Sequence, residues 1–303
     1  MDILKFKFVI VRFDIRSAKL VILKCIAVIL LTACNGPRPE ILLSEAIPEI
    51  DSTREAKVLT AFFGLDNALN QRSRLLYKNA PGQDGMPLVF SHELDPNTLQ
   101  GPDFQVLTKN GDLIQIEYAT LLPANEEFEL RTVLLIGEYG NHPDNPPVSV
   151  TIIGDLMSRT GFNFKGQTIK VIPLKAGPIL SYAEYFTFDK DYPYIEEGRG
   201  CDCPKAETQL VVKAVWSGGV RATNGDELGL NELNDFEVTL VQEADTLIVT
   251  PFQLADLEDN DNNIDLCLKK LGTPILLKVN KNVSIDPRGD KNTKTQIEIM
   301  SRW

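Results

Sequence analysis

Oxygen-bearing side chains recur through the stretch from Asp256 to Asp265. Within it Asp259, Asp261, Asn263 and Asp265 stand at i, i+2, i+4 and i+6. That spacing suits a loop curling around one hard cation, and calcium takes about six to eight oxygens. Calcium is therefore an expected, not a required, ion. The stretch is not an EF-hand, because Ile264 stands where the turn needs glycine and Lys270 where the bidentate carboxylate belongs. The same alternation suits a solvated, charged turn. A second acidic loop, Asn224-Gly225-Asp226-Glu227, reads first as a hairpin turn.

Thiol chemistry centres on Cys201-Asp202-Cys203 and Cys267. A redox pair usually has two intervening residues, and a zinc site would lack ligands, since His92 and His142 are the only histidines. The expected chemistry is a disulfide from one of the pair to Cys267, assigned as Cys203–Cys267 with Cys201 the open alternative. His92 follows Ser91 and precedes Glu93, but adjacency in sequence does not make a triad. Catalytic residues are not assigned. Arg288-Gly289-Asp290 lies in an Asp-Pro-Arg-Gly-Asp turn. There is no Gly-x-Ser-x-Gly, phosphate-cradling glycine loop, dinucleotide fingerprint or zinc-protease helix.

These candidates need a scaffold, and the chain punctuates like a β protein. Pro81-Gly82, Asp84-Gly85 and Asn110-Gly111 are turn signals. Between turns, apolar or alternating runs predict strands at Met86–Phe90, Leu113–Tyr118, Arg131–Ile136, Val148–Ile153 and Gln167–Ile172. Val58–Phe63 reads as an edge strand. Asp235-Phe236-Glu237-Val238 echoes Asp103-Phe104-Gln105-Val106, and a period near 130 residues fits tandem domains. Ala176-Gly177-Pro178 is the expected boundary. Beyond it Tyr182, Tyr185, Phe186, Phe188, Tyr192 and Tyr194 form an aromatic cluster, suited to stacking on a sugar or peptide or to packing between domains.

The amino-terminal segment is an address. A basic stretch with Lys5, Lys7, Arg12, Arg16 and Lys19 leads into an apolar run from Leu20 to Leu31, which is short for a membrane span. It ends in Leu31-Thr32-Ala33-Cys34, which resembles the lipobox of bacterial lipoproteins. The resemblance implies cleavage before Cys34 and lipid attachment to its sulfur, with acyl chains of the palmitate kind holding the protein on a membrane. Leu88-Val89-Phe90-Ser91-His92-Glu93-Leu94-Asp95-Pro96-Asn97-Thr98-Leu99, followed by Asp103-Phe104-Gln105-Val106, resembles the strand–turn–strand signature of bacterial Ig-like repeats. The loops of residues 121–177 are longer than those repeats usually carry.

The chain has 31 basic and 42 acidic residues, net −11. Residues 1–33 hold six basic and two acidic ones, so the remainder carries −15. Such a surface disfavours nucleic acid and anionic lipid head groups. The expected organisation is a signal peptide over 1–33, a tether over 34–54, and two tandem Ig-like β-sandwich domains over 55–177 and 178–303, an all-β protein. The expected role is a lipid-anchored module of the cell envelope, on the outer membrane, with a protein or carbohydrate partner and a binding, adhesion or structural task. The competing class is a hydrolase whose acids converge only in the fold.

Overall fold

The computed structural model of the 303-residue chain describes residues 55–126, 128–187, 201–243, 245–255 and 261–302. The signal segment, the tether, Cys34, Asp259, Phe188, Tyr192 and Tyr194 lie outside the described residues. Within them the fold is built from strands and short 3₁₀ turns arranged in several sheets, with no α-helix.

The N-terminal half contains β1 (Val58–Phe62), β2 (Asp84–Phe90), β3 (Phe104–Thr108), β4 (Leu113–Gln115), β5 (Tyr118–Thr120), β6 (Thr132–Gly137), β7 (Pro147–Ile152) and β8 (Thr168–Ile172). They join in the order β4-β3-β7-β8-β1-β2-β6-β5. β8 is the hinge of this sheet. Residues 168–170 pair antiparallel with β7, and Val171 and Ile172 pair parallel with β1. That pairing puts β1 inside the sheet, between β8 and β2, rather than at the edge expected from its composition. The run expected as one strand over 113–118 is broken at buried Ile116. Its two ends, β4 and β5, lie on opposite edges of the sheet.

The C-terminal half contains β9 (Leu180–Thr187), β10 (Leu210–Trp216), β11 (Arg221–Ala222), β12 (Phe236–Gln242), β13 (Asp245–Val249), β14 (Gln253–Ala255), β15 (Asn263–Leu268), β16 (Thr273–Val279), β17 (Ser284–Ile285), β18 (Thr295–Glu298) and β19 (Met300–Ser301). One sheet runs β14-β15-β10-β9-β19, another β13-β12-β16-β18, and β11 pairs with β17.

The two halves repeat one topology. The row β5-β6-β2-β1 of the first matches β14-β15-β10-β9 of the second, and β4-β3-β7 matches β13-β12-β16. The hinge strand β8 corresponds to β18 plus β19, which are separated by buried Ile299. Like β8 on β1, β19 runs parallel to its partner β9. The Asp-Phe echo marks equivalent points. A 3₁₀ turn ends at Asp103 or Asp235, and the next phenylalanine, fully buried, opens β3 or β12.

β10 shows why the core forms where it does. Its sequence, Leu-Val-Val-Lys-Ala-Val-Trp, is buried at every position, as in a strand covered on both faces. Leu210, Val212, Ala214 and Trp216 face a core shared with Ile264 and Leu266 of β15, Phe236, Val238 and Leu240 of β12, and Leu277 and Val279 of β16. The alternate residues face the N-terminal half, where Val215 packs with Tyr182 and with Val89 of β2.

Gly177 lies in the connection between the halves. A Cβ there would stand 1.9 Å from the Lys291 carbonyl oxygen, a backbone atom with little room to yield. Overpacking of this kind costs about 1–3 kcal/mol. Gly177→Ala is expected to lower the melting temperature by roughly 5 °C in calorimetry; an unchanged melting temperature would show that the connection is not held against Lys291.

Candidate functional site

The face of β9, β10 and β15 turned toward the N-terminal half is ionic. Lys213, at the centre of β10, is opposite Glu184 on one neighbour and Asp265 on the other. Its Nζ lies 3.1 Å from Asp265 Oδ1 and 3.0 Å from Glu129 Oε1, and all three side chains are buried. Glu129 comes from the N-terminal half, on the segment entering β6. Phe128 before it takes a left-handed backbone conformation (φ 73°), which costs a non-glycine residue about 1–3 kcal/mol. That conformation accompanies the packing of the Phe128 ring on Phe186, centroids 5.5 Å apart, with Glu129 reaching Lys213.

Beside this triad runs a chain of arginines and glutamates. Arg302 bonds Glu93 at 2.6 Å through Nη2 and bonds Glu184 through Nη1. Arg131 meets Glu184 at 2.9 Å, and Arg159 meets Glu93 at 3.0 Å. Aromatic faces complete the setting: Arg131 lies 4.2 Å from the Tyr182 ring centroid and Arg302 lies 3.7 Å from that of Phe128. Four cations (Arg131, Arg159, Lys213, Arg302) thus face four carboxylates (Glu93, Glu129, Glu184, Asp265). The layer is balanced, as buried charge must be.

Its electrostatics follow from burial and pairing. Burial alone would raise the Glu93 carboxyl, but the guanidiniums of Arg302, Arg131 and Arg159 reverse this and hold it at about 2. Burial would lower the Lys213 ammonium, yet Asp265 and Glu129 raise it well above its ordinary value. Burial raises the Asp265 carboxyl against the opposing pull of Lys213. Cys201, which hydrogen-bonds Asp265, has its thiol pushed well up by burial and by that carboxylate, so it is a poor nucleophile.

Across the same row of the N-terminal half the chemistry is apolar. Pro87 and Leu134 are paired as Lys213 and Asp265 are. Phe62, Pro87 and Leu134 line a cavity of about 150 Å³, closed in part by Leu65, Leu121 and Gly218. One topological position is therefore an oily recess in the first half and an ion cluster in the second.

The structure distributes the expected site residues as follows. Cys203 and Cys267 are joined by a disulfide, Cα atoms 5.6 Å apart, and Cys201 is a buried thiol. Asp261, Asn263 and Asp265 are buried on or just before β15, not solvated in a turn. Asp261 accepts from the Asn263 backbone and amide side chain, both at 2.6 Å, while Asp265 is held by Lys213. A calcium ion at Asp265 would have to displace that ammonium, and among the described residues no group of three or more His, Cys, Asp or Glu side chains is placed to hold a metal. His92 is buried against Phe162 with Nδ1 2.8 Å from Ser91 Oγ. Tyr182 and Phe186 are buried at the seam rather than exposed for stacking. Arg288-Gly289-Asp290 is a turn closed on Asp286 Oδ1, which accepts from the Arg288 and Asp290 backbones.

Sequence reasoning passed over Lys213, Glu184, Arg131 and Arg302. The signal for Lys213 was present: one lysine within six apolar residues of a strand, where a charge survives only if paired.

No protein-family model and no curated protein matches the chain. Among solved structures it is similar to one described as surface layer protein SbsC, domains 1–6, at 9% identity and a TM-score of 0.27. The match covers 82% of this chain and 41% of that one, so the chain spans less than half the length of that structure. No helix among the described residues is long and apolar enough to cross a membrane.

Two outcomes are expected. Arg302→Met leaves Glu93 with Arg159 and Glu184 with Arg131 but the buried layer one positive charge short, a loss of about 3–5 kcal/mol, so its melting temperature should fall by roughly 10 °C. A fall no larger than that of an exposed arginine variant would show that the layer is not stabilising. The second outcome concerns pH. Glu93, held at about 2 against an ordinary 4.5, contributes stability that is complete above about pH 4.5 and lost as pH falls toward 2. Asp84 acts in the opposite direction. Burial raises its carboxyl to about 6 despite hydrogen bonds from the Tyr139 and Asn67 backbones, with Glu138 and Asp66 adding to the rise. The folded state therefore holds a proton there that the unfolded state has released, and stability falls as pH rises from about 4 to 6. In melting curves Asp84→Asn should flatten that decline; an unaltered slope would contradict it.

Proposed function

We propose that this chain is a lipid-anchored module of the cell envelope, attached through Cys34, that presents two tandem Ig-like β-sandwich domains as a non-catalytic binding or structural scaffold. The observation that carries the reading is the balanced ionic layer. The buried carboxylates of the seam, Glu93, Glu129, Glu184 and Asp265, are each engaged by a cation of the same chain. Glu93, held at about 2, has no proton to donate near neutrality. Charges spent in this way stiffen the seam between the halves and leave the loops and sheet edges as the working surface. A net charge of −15 beyond residue 33 favours a protein or carbohydrate partner over nucleic acid. The lipobox-like Leu31-Thr32-Ala33-Cys34 supports attachment, because two or more acyl chains give stable anchoring where one does not.

Metabolic labelling with an alkyne analogue of palmitate tests this. The full chain is expected to take the label and to sediment with membranes, and Cys34→Ser to lose both properties while keeping the Cys203–Cys267 disulfide. A wild-type chain that remains unlabelled and in the soluble fraction would overturn the anchored reading.

A further inference from the structure

We propose that Lys213 and Asp265 are the precursors of an intramolecular isopeptide bond, with Glu129 as the proton-transfer group. Four observations carry it. The Nζ of Lys213 is 3.1 Å from a carboxylate oxygen of Asp265, so the amine is held against the carboxyl group it would attack, the kind of enforced proximity that makes a two-group reaction effectively unimolecular. Glu129 Oε1 lies 3.0 Å from the same nitrogen, close enough to take and return a proton. Lys213 is 1% exposed and its partners no more than 4%, so bulk water, which would drive the reverse reaction, is kept away. They adjoin an apolar cluster of Phe128, Phe186, Val211 and the Cys203–Cys267 pair.

The fourth observation is internal. At the equivalent register positions of the N-terminal half the same topology is satisfied by Pro87 and Leu134. The fold does not need charge at this row. A buried ion pair costs desolvation that an apolar pair avoids, and conversion to a neutral amide removes that cost.

The step balances. One proton passes from the Lys213 ammonium to the Asp265 carboxylate, giving a neutral amine and a neutral acid. The nitrogen lone pair then attacks the carboxyl carbon and the C–N bond forms. Glu129 accepts a second proton from nitrogen and delivers it to the departing hydroxyl, so the C–O bond breaks and one water leaves. Glu129 returns to its starting state and no oxidant or reductant is consumed. The product ties β10 to β15, the strand that also carries Cys267.

Peptide mapping of the full chain, reduced, unfolded and digested with trypsin, tests the proposal. The bond blocks cleavage after Lys213 and joins residues 206–221 to residues 222–269 in one branched peptide. Its mass is lower than the sum of the two parts by one water, about 18 Da. Recovery of Lys213 only in linear, cleaved peptides would overturn the proposal. So would a link that survives reductant but is released by neutral hydroxylamine, since an amide resists hydroxylamine and a thioester to Cys201 does not. Glu129→Gln, checked for folding by its disulfide and melting curve, should form the link about a hundredfold more slowly or worse; an unchanged rate would remove Glu129 from the mechanism. Lys213→Arg should give no branched peptide.

Discussion

Lys213 is the point at which this structure is most constrained. An ammonium at the centre of a strand covered on both faces cannot reach water, so the fold must bring carboxylates to it. One comes from the neighbouring strand, Asp265, at the cost of placing an acid inside β15. The other comes from the opposite half of the molecule, Glu129, on a segment whose Phe128 takes an unfavourable backbone conformation. The remaining charges extend the same solution. Glu184, opposite Lys213 on β9, is answered by Arg131 and by Arg302, and Arg302 in turn binds Glu93. The triad around one buried cation thus lies beside a chain of ion pairs that draws on residues from 93 to 302, and the seam is specified by geometry as well as by burial.

Ionic and apolar seams differ in what they permit. An oily interface tolerates sliding, because hydrophobic contact is non-directional. Charge-assisted hydrogen bonds from arginine do not, because they are directional and each guanidinium N–H must point at its carboxylate oxygen. Arg302 and Glu184 belong to one half and Glu93 and Arg131 to the other, so a shift between the halves would break the Arg302–Glu93 and Arg131–Glu184 bonds at once. The apolar contribution at the seam, Val89 with Tyr182 and Val215, supplies burial, and the ion pairs supply register.

The β class of the chain was legible because turn residues and alternating runs act locally. The strand over Met86–Phe90 and the Asn110-Gly111 hairpin are where those signals place them, but Asp84 and Gly85, expected as a turn, are drawn into β2 by pairing with Gly137 and Ile136. Errors arose where long-range pairing overrides local pattern. β1 is drawn off the edge by its parallel pairing with the end of β8, and residues 113–118 are split because Ile116 turns into the core. The acidic stretch at 259–265 was read by its oxygen spacing alone. In a strand that spacing places alternate residues on one face, and the partner of that face here includes a lysine 52 residues earlier. Nothing in a linear reading of oxygens points to it. A lysine inside an apolar strand does, and it is the more informative residue because its burial demands a partner.

The internal repeat turns that constraint into a comparison. Two halves of one topology carry, at one paired position, Pro87 with Leu134 and Lys213 with Asp265. The first pair lines an apolar recess and the second fills an ionic one. Both satisfy the backbone ladder, so strand pairing cannot account for the difference. Packing volume cannot account for it either, since hydrophobic side chains of similar size would fill the second position at lower desolvation cost. What distinguishes the second half is the neighbour over its face: the Phe128–Arg131 segment, bringing one carboxylate and one guanidinium to a sheet that already holds Glu184, Lys213 and Asp265. The charges therefore belong to the contact between the halves rather than to the pair of sheets beneath them, and Lys213 meets both of its carboxylates only when both halves are folded and in place.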